Sequence, residues 1–188
     1  MTRSSRGVTG LIRGAVFGMI AGAFMATFAM IAAVTYQDHG FFTPLFHISA
    51  LTGSPVSMTT SMMQAASGNE FWFTPGAATV GLMLHMVTGA AFGMVFVLIA
   101  PRISRPLLVP AGALYGIAVF GFSAFIALPV AAAITGAGSS ISDMASMVGY
   151  GTFALEHLVY GTTLGVLVVL GSPRIVRTAP AARVPAHS

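Results

Sequence analysis

The chain has no cysteine and no lysine, and only four of its 188 residues are acidic. Without thiols there is no disulfide framework, no thiolate metal site and no cysteine nucleophile. Charged residues make up 6% of the chain, whereas a soluble domain carries about a quarter to cover its surface. Hydrophobic residues make up 56%, and mean hydropathy is +0.89. Lipid must therefore be part of the solvent. No basic groove interleaved with aromatics is present, so nucleic acid is not an expected partner. No Ser stands in a G-x-S-x-G or S-x-x-K setting, and no glycine-rich loop follows a strand. No catalytic residue is assigned. An enzyme is the less expected class, and a membrane-embedded one using Glu156 and His157 is the version these residues would allow.

What is present is apolar length. Four runs, Gly14–Tyr36, Ala77–Ala100, Leu107–Leu128 and Met147–Gly171, each exceed the roughly 20 residues that a helix needs to cross a ~30 Å hydrocarbon core. The expected fold is an all-α membrane protein of four transmembrane helices. The first run follows Arg3, Arg6 and Arg13. It outlasts the about 7–15 apolar residues of a signal peptide, so it is expected to be retained. The basic residues Arg3, Arg6, Arg13, Arg102, Arg105, Arg174, Arg177 and Arg183 fall on one side of such a fold, and Asp38, Glu70 and Asp143 on the other. The positive-inside rule then puts both termini in the cytoplasm of a multi-pass protein of the bacterial inner membrane.

One stretch occurs twice. Residues 85–105 read HMVTGAAFGMVFVLIAPRISR and residues 157–177 read HLVYGTTLGVLVVLGSPRIVR, with ten of 21 positions identical. The shared pattern is H-x3-G-x3-G followed by P-R-I-x-R. Residues 14–24, GAVFGMIAGAF, and 112–122, GALYGIAVFGF, match more weakly through Gly14/Gly112, Ala15/Ala113, Gly18/Gly116 and Phe24/Phe122. The expected organisation is two duplicated hairpins in parallel orientation. A cytoplasmic segment, 1–13, precedes the first hairpin, 14–106, which includes an outer lid at 37–76. The second hairpin, 107–177, leads to a disordered cytoplasmic tail, 178–188, whose His187 is given no role. Pro44 is expected to start a short interfacial helix reaching Leu51, and residues 129–146 are expected to form a flexible outer loop.

Glycines at Gly14, Gly18 and Gly22, at Gly89 and Gly93, at Gly112 and Gly116, and at Gly161 and Gly165 recur at helical spacing and suit close helix packing. His85 and His157 each precede the P-R-I motif by 16 residues, which is roughly 24 Å along a helix. Both imidazoles are thus expected at one depth in the outer half of the bilayer. An ionisable side chain at such depth turns inward to a partner or cavity. Glu156 is the one acid inside an expected span; its neighbour His157 is turned about 100° from it around the helix. Met83 and Met86 belong to a set of methionines that, with His85, His157 and the lid residue His47, concentrates thioether and imidazole on the outer side. That donor set suits copper better than magnesium or calcium. The two histidines admit three readings: structural hydrogen bonding, metal or haem ligation, and a proton or substrate relay. Glycines beside a histidine leave room for a neighbouring helix or for the flat face of a porphyrin.

The segment GFFTPLFHISAL, the G-x-x-x-H ending at His85 and the H-L-V-Y-G starting at His157 resemble an uncharacterised family of small four-span bacterial inner-membrane proteins. The resemblance implies topology and no activity. The expected function is a His-based ligand site, with copper or haem as the cofactor and His85, His157, Glu156, His47, Met83 and Met86 as its residues. The competing expectations are a non-catalytic accessory subunit of a larger membrane complex and a small transporter working as a homodimer.

Overall fold

The computed structural model describes residues 3–171, with side chains from Val8 onward; the expected tail at 178–188, His187 and the Pro173–Arg177 end of the second repeat lie outside the described residues. Helix α1 (Arg3–Tyr36) is followed by the short helices α2 (Thr43–Ser49) and α3 (Val56–Ala66), then by α4 (Pro75–Ile99). Helix α5 (Leu108–Phe122) passes through a π-helical turn, Ser123–Ala127, into α6 (Leu128–Thr135). Two single-turn helices, α7 (Ser139–Ser142) and α8 (Met144–Val148), lead to α9 (Tyr150–Gly171). The described residues contain no strand.

Four segments, Val8–Tyr36, Pro75–Arg102, Arg105–Thr135 and Tyr150–Gly171, are long and apolar enough to cross a membrane, and they fit a multi-pass membrane protein. Large apolar side chains point away from the bundle on all four, among them Phe24, Val87, Leu114 and Leu170. A surface of this kind is stable against acyl chains and not against water. Helical hydrogen bonding satisfies the backbone without water, as a bilayer core demands.

The helices pack as α1 with α4 and α5 with α9, and α1 also runs along α9. Glycine makes both pairings possible. A Cβ added to Gly18 would collide with the Gly89 carbonyl and the Gly93 Cα. At its counterpart Gly116 it would meet the His157 carbonyl and the Gly161 Cα. Gly14 faces Gly93, and Gly112 faces Gly161 and Gly165. Backbone-to-backbone approach of this kind replaces the hydrophobic drive that lipid cannot supply. In each comparison the α9 partner stands four residues earlier than its α4 counterpart. The second pair is therefore slid by about one helical turn.

The third span is longer than its expected limit at Leu128. Pro129 has no N–H and its ring crowds the carbonyl four residues back, which ordinarily ends a helix. Here the chain widens into the π turn immediately before Pro129 and then continues to Thr135, a standard way of absorbing that conflict. Residues 129–146, expected as a flexible loop, instead form the rest of α6 and the helices α7 and α8. Ile141 and Ala145 there are almost fully buried.

Helix α2 begins with Pro44 in its first turn, as expected, and lies against α4, where Gly81 leaves space for the Leu45 carbonyl. Phe46 is completely buried. Phe42 and Trp72 pack against its ring and Phe73 packs against Phe42, with ring centroids 4.7–6.4 Å apart.

Candidate functional site

His85 and His157 face one cavity of about 210 Å³, whose wall also includes His47, Glu156, Gln37 and Tyr160. Helices α1, α4, α5 and α9 form its sides, and α2, α7 and α8 close its far end. Most of the remaining wall is apolar, with Met25 and Met144 contributing thioethers. The cavity is larger than the ~150 Å³ void that accepts benzene.

Each imidazole has one nitrogen committed to a backbone carbonyl, which can only accept a hydrogen bond. His85 Nε2–H donates to the Gly22 carbonyl across the α1–α4 contact, at 2.9 Å. His157 Nδ1–H donates to the Phe153 carbonyl on its own helix, at 2.7 Å. His47 Nε2–H donates to the Ser140 carbonyl at 2.5 Å. These acceptors fix the tautomers, leaving Nδ1 of His85, Nε2 of His157 and Nδ1 of His47 with free lone pairs. The two repeat histidines bond differently because their surroundings differ. Gly22 gives His85 access to the α1 backbone, whereas its counterpart Phe120 puts a ring against His157, with centroids 6.1 Å apart.

Glu156 is buried, 5% exposed. The hydroxyls of Thr152 and Tyr160 on the same helix both have partners on other helices. The Tyr36 hydroxyl donates to Thr152 Oγ1 at 3.4 Å, and the Tyr160 hydroxyl donates to the Gly89 carbonyl at 2.7 Å. Glu156 stands on the wall of the first cavity. Although Glu156 and His157 are turned apart, both reach it, because α9 is buried on two sides, against α1 and against α5.

A second cavity of about 180 Å³ adjoins the first and is lined by His39, His47, Met58, Met62 and Met147. Gln37, Pro44, His47 and Val148 belong to both walls. Gln37 Nε2 donates to the Val148 carbonyl at 2.8 Å and holds that partition in place. His47, a residue of the expected lid, is buried within that partition. Burial lowers the His47 pKa from its ordinary 6.5, the bond to Ser140 opposes that shift, and nearby His39 adds to it. Burial also lowers the His39 pKa, with Asp38 opposing.

Met83 is largely exposed on the outside of α4, and Met86 packs near Gly22; neither lines the two cavities. Their places are taken by Met25, Met144, Met58, Met62 and Met147. The sequence places all five among the methionines of that end, but the cavity-lining ones are distinguishable only once helix faces are known. Gly89, Gly93, Gly161 and Gly165 are filled by the neighbouring helix backbones, so they provide no slot for a porphyrin. Among the described residues no three His, Cys, Asp or Glu side chains are close enough to hold a metal ion by themselves. Zinc in its usual N/S/O coordination has no ready seat.

Below the first cavity the bundle is closed. Phe96 and Leu164, one turn beyond Phe92 and Tyr160, are completely buried. No protein-family model, curated protein or solved structure matches the chain.

Proposed function

We propose that the chain is a bacterial inner-membrane protein that binds copper(I) from the outer face of the membrane in two connected cavities lined by imidazole and thioether. The observation that carries this reading is His47, which stands in the partition between a His/Met vestibule and the cavity of His85, His157 and Glu156. Thioether is a soft donor and neutral imidazole a borderline one, a mixture that suits copper(I), whereas magnesium and calcium take oxygen ligands. Such a site needs no thiol, and the chain has none. Met58, Met62 and Met147 with His39 would receive the ion. His47 would pass it to His157 and His85, with Met25 and Met144 completing its coordination and Glu156 supplying a compensating charge. The Phe96–Leu164 closure favours holding the ion over conducting it.

In this reading residues 37–76 act as a lid, and the two glycine-paired hairpins descend from one duplicated unit. The bias of the arginines toward one end supports a cytoplasmic location for that end.

Anaerobic titration of the purified protein with copper(I) against a chromophoric chelator tests this. At least one ion per chain is expected, with zinc binding much weaker. His39→Ala combined with His47→Ala should weaken binding at least tenfold, on the scale of a lost ligand or supporting group. Met58→Leu with Met62→Leu should weaken it less. Full copper content in the His85→Ala/His157→Ala double variant would remove the deeper cavity from the proposal.

A further inference from the structure

The arginine end holds a third cavity, of about 570 Å³, at the junction of α1, α4, α5 and α9. Arg13 and Arg105 stand on its wall, while Phe17, Val97, Ile103 and Leu108 supply apolar surface. The Arg13 guanidinium donates through Nη2 to the Gly171 carbonyl and lies over the Phe17 ring, 5.7 Å from its centroid. Arg105 donates through Nη2 to the Val169 carbonyl at 3.1 Å. A guanidinium has five N–H donors, so these bonds hold both groups in position with donors to spare.

Among the described residues this end carries no acidic side chain. All four acids of the chain, Asp38, Glu70, Asp143 and Glu156, belong to the opposite half of the bundle, beyond the Phe96–Leu164 closure. Two cations held by carbonyls above an apolar pocket, at the end of a bundle that fits a membrane, suit an anion with an apolar tail. The anion available at that depth is a lipid phosphate, whose acyl chains can lie along the apolar wall.

We infer that this cavity is a binding site for the headgroup of one anionic phospholipid, its phosphate held by Arg13 and Arg105 together. Arg102 provides the contrast. It lies in the same loop and carries the same charge, but it caps the α4 carbonyl of Leu98 at 2.8 Å and is not part of the cavity wall.

The test is native mass spectrometry of the full chain released from bilayers of phosphatidylglycerol and phosphatidylcholine with identical acyl chains. One phosphatidylglycerol should be retained in preference to phosphatidylcholine. Arg13→Gln and Arg105→Gln should each weaken retention roughly fivefold, the effect of one cation at a lipid surface. Arg102→Gln, which removes the same charge, should stay within twofold of the parent. Equal retention of the two lipids by the unaltered protein would overturn the inference, and so would equal losses in all three variants, which would mean diffuse surface attraction. Displacement of the lipid by millimolar inorganic phosphate would also overturn it, assigning the pocket to a free anion. If a glutamine variant fails to fold, Arg13→Lys and Arg105→Lys carry the mutational arm. Those keep the charge without the planar fork, and retention equal to the parent in both would reject two-arginine clamping.

Discussion

At the residue scale, His47, His85 and His157 each commit one ring nitrogen to a backbone carbonyl and leave the other open. His47 and His39 lie outside the spans, and burial lowers both pKa values below 6.5. The sign of the consequence follows from linkage. Above pH 6.5 these groups are neutral in the folded and unfolded chain, and the stability tied to that neutrality is fully present. As pH falls below 6.5, the unfolded chain takes up protons that the folded chain resists, and stability drops until the lowered folded value is passed. Melting in detergent should therefore be nearly flat from pH 7 to 8 and fall toward pH 5. His47→Gln, which keeps a donor for the Ser140 carbonyl, should reduce that slope. An unchanged slope in the variant would mean that other groups set it.

At the element scale, the helix pairs depend on glycine at a few positions and not at others. Gly116→Ala would put a methyl group against the His157 carbonyl. Overpacking of this kind costs about 1–3 kcal/mol, and little can yield because the clash is with backbone. Gly121 on the same helix has nothing within 4 Å of an added Cβ. There alanine should stabilise by roughly 0.5–1 kcal/mol through helix propensity. Thermal unfolding of the two variants side by side should shift in opposite directions. The glycine spacing makes close packing legible in the sequence. The one-turn slide of the second pair is not legible, because it depends on which carbonyl each glycine meets.

At the scale of the whole molecule, two phenols of the second hairpin reach across to α4 of the first. The Tyr115 hydroxyl donates to the Phe92 carbonyl at 2.8 Å, and the Tyr160 hydroxyl to the Gly89 carbonyl at 2.7 Å. Their counterparts in the first hairpin are Phe17 and Thr88. Both bonds reach α4 from the opposite pair and fix the cavity between them. Tyr160→Phe should lower stability by about 1 kcal/mol. Because that ring lines the cavity, the variant should also loosen any ligand held by His157. Stability and copper affinity that both stay at the parent values would show that the tie is dispensable.

The sequence by itself determined four apolar crossings, the segregation of arginine from acid, and the glycine faces on which helices meet. These are local properties: run length, loop charge and residue spacing along one helix. It also singled out His85, His157 and Glu156 correctly as side chains that turn inward, since an ionisable group facing lipid is costly. Only the tertiary structure decided that Glu156 and His157 open on one cavity, that His47 is buried in a partition, and that Met25 and Met144 line the space where Met83 and Met86 do not. Each of those facts depends on how far one helix is rotated and slid against another. Contacts between residues far apart in the chain, such as Gly22 with His85 and His47 with Ser140, set that geometry, and no periodicity within a single segment encodes it.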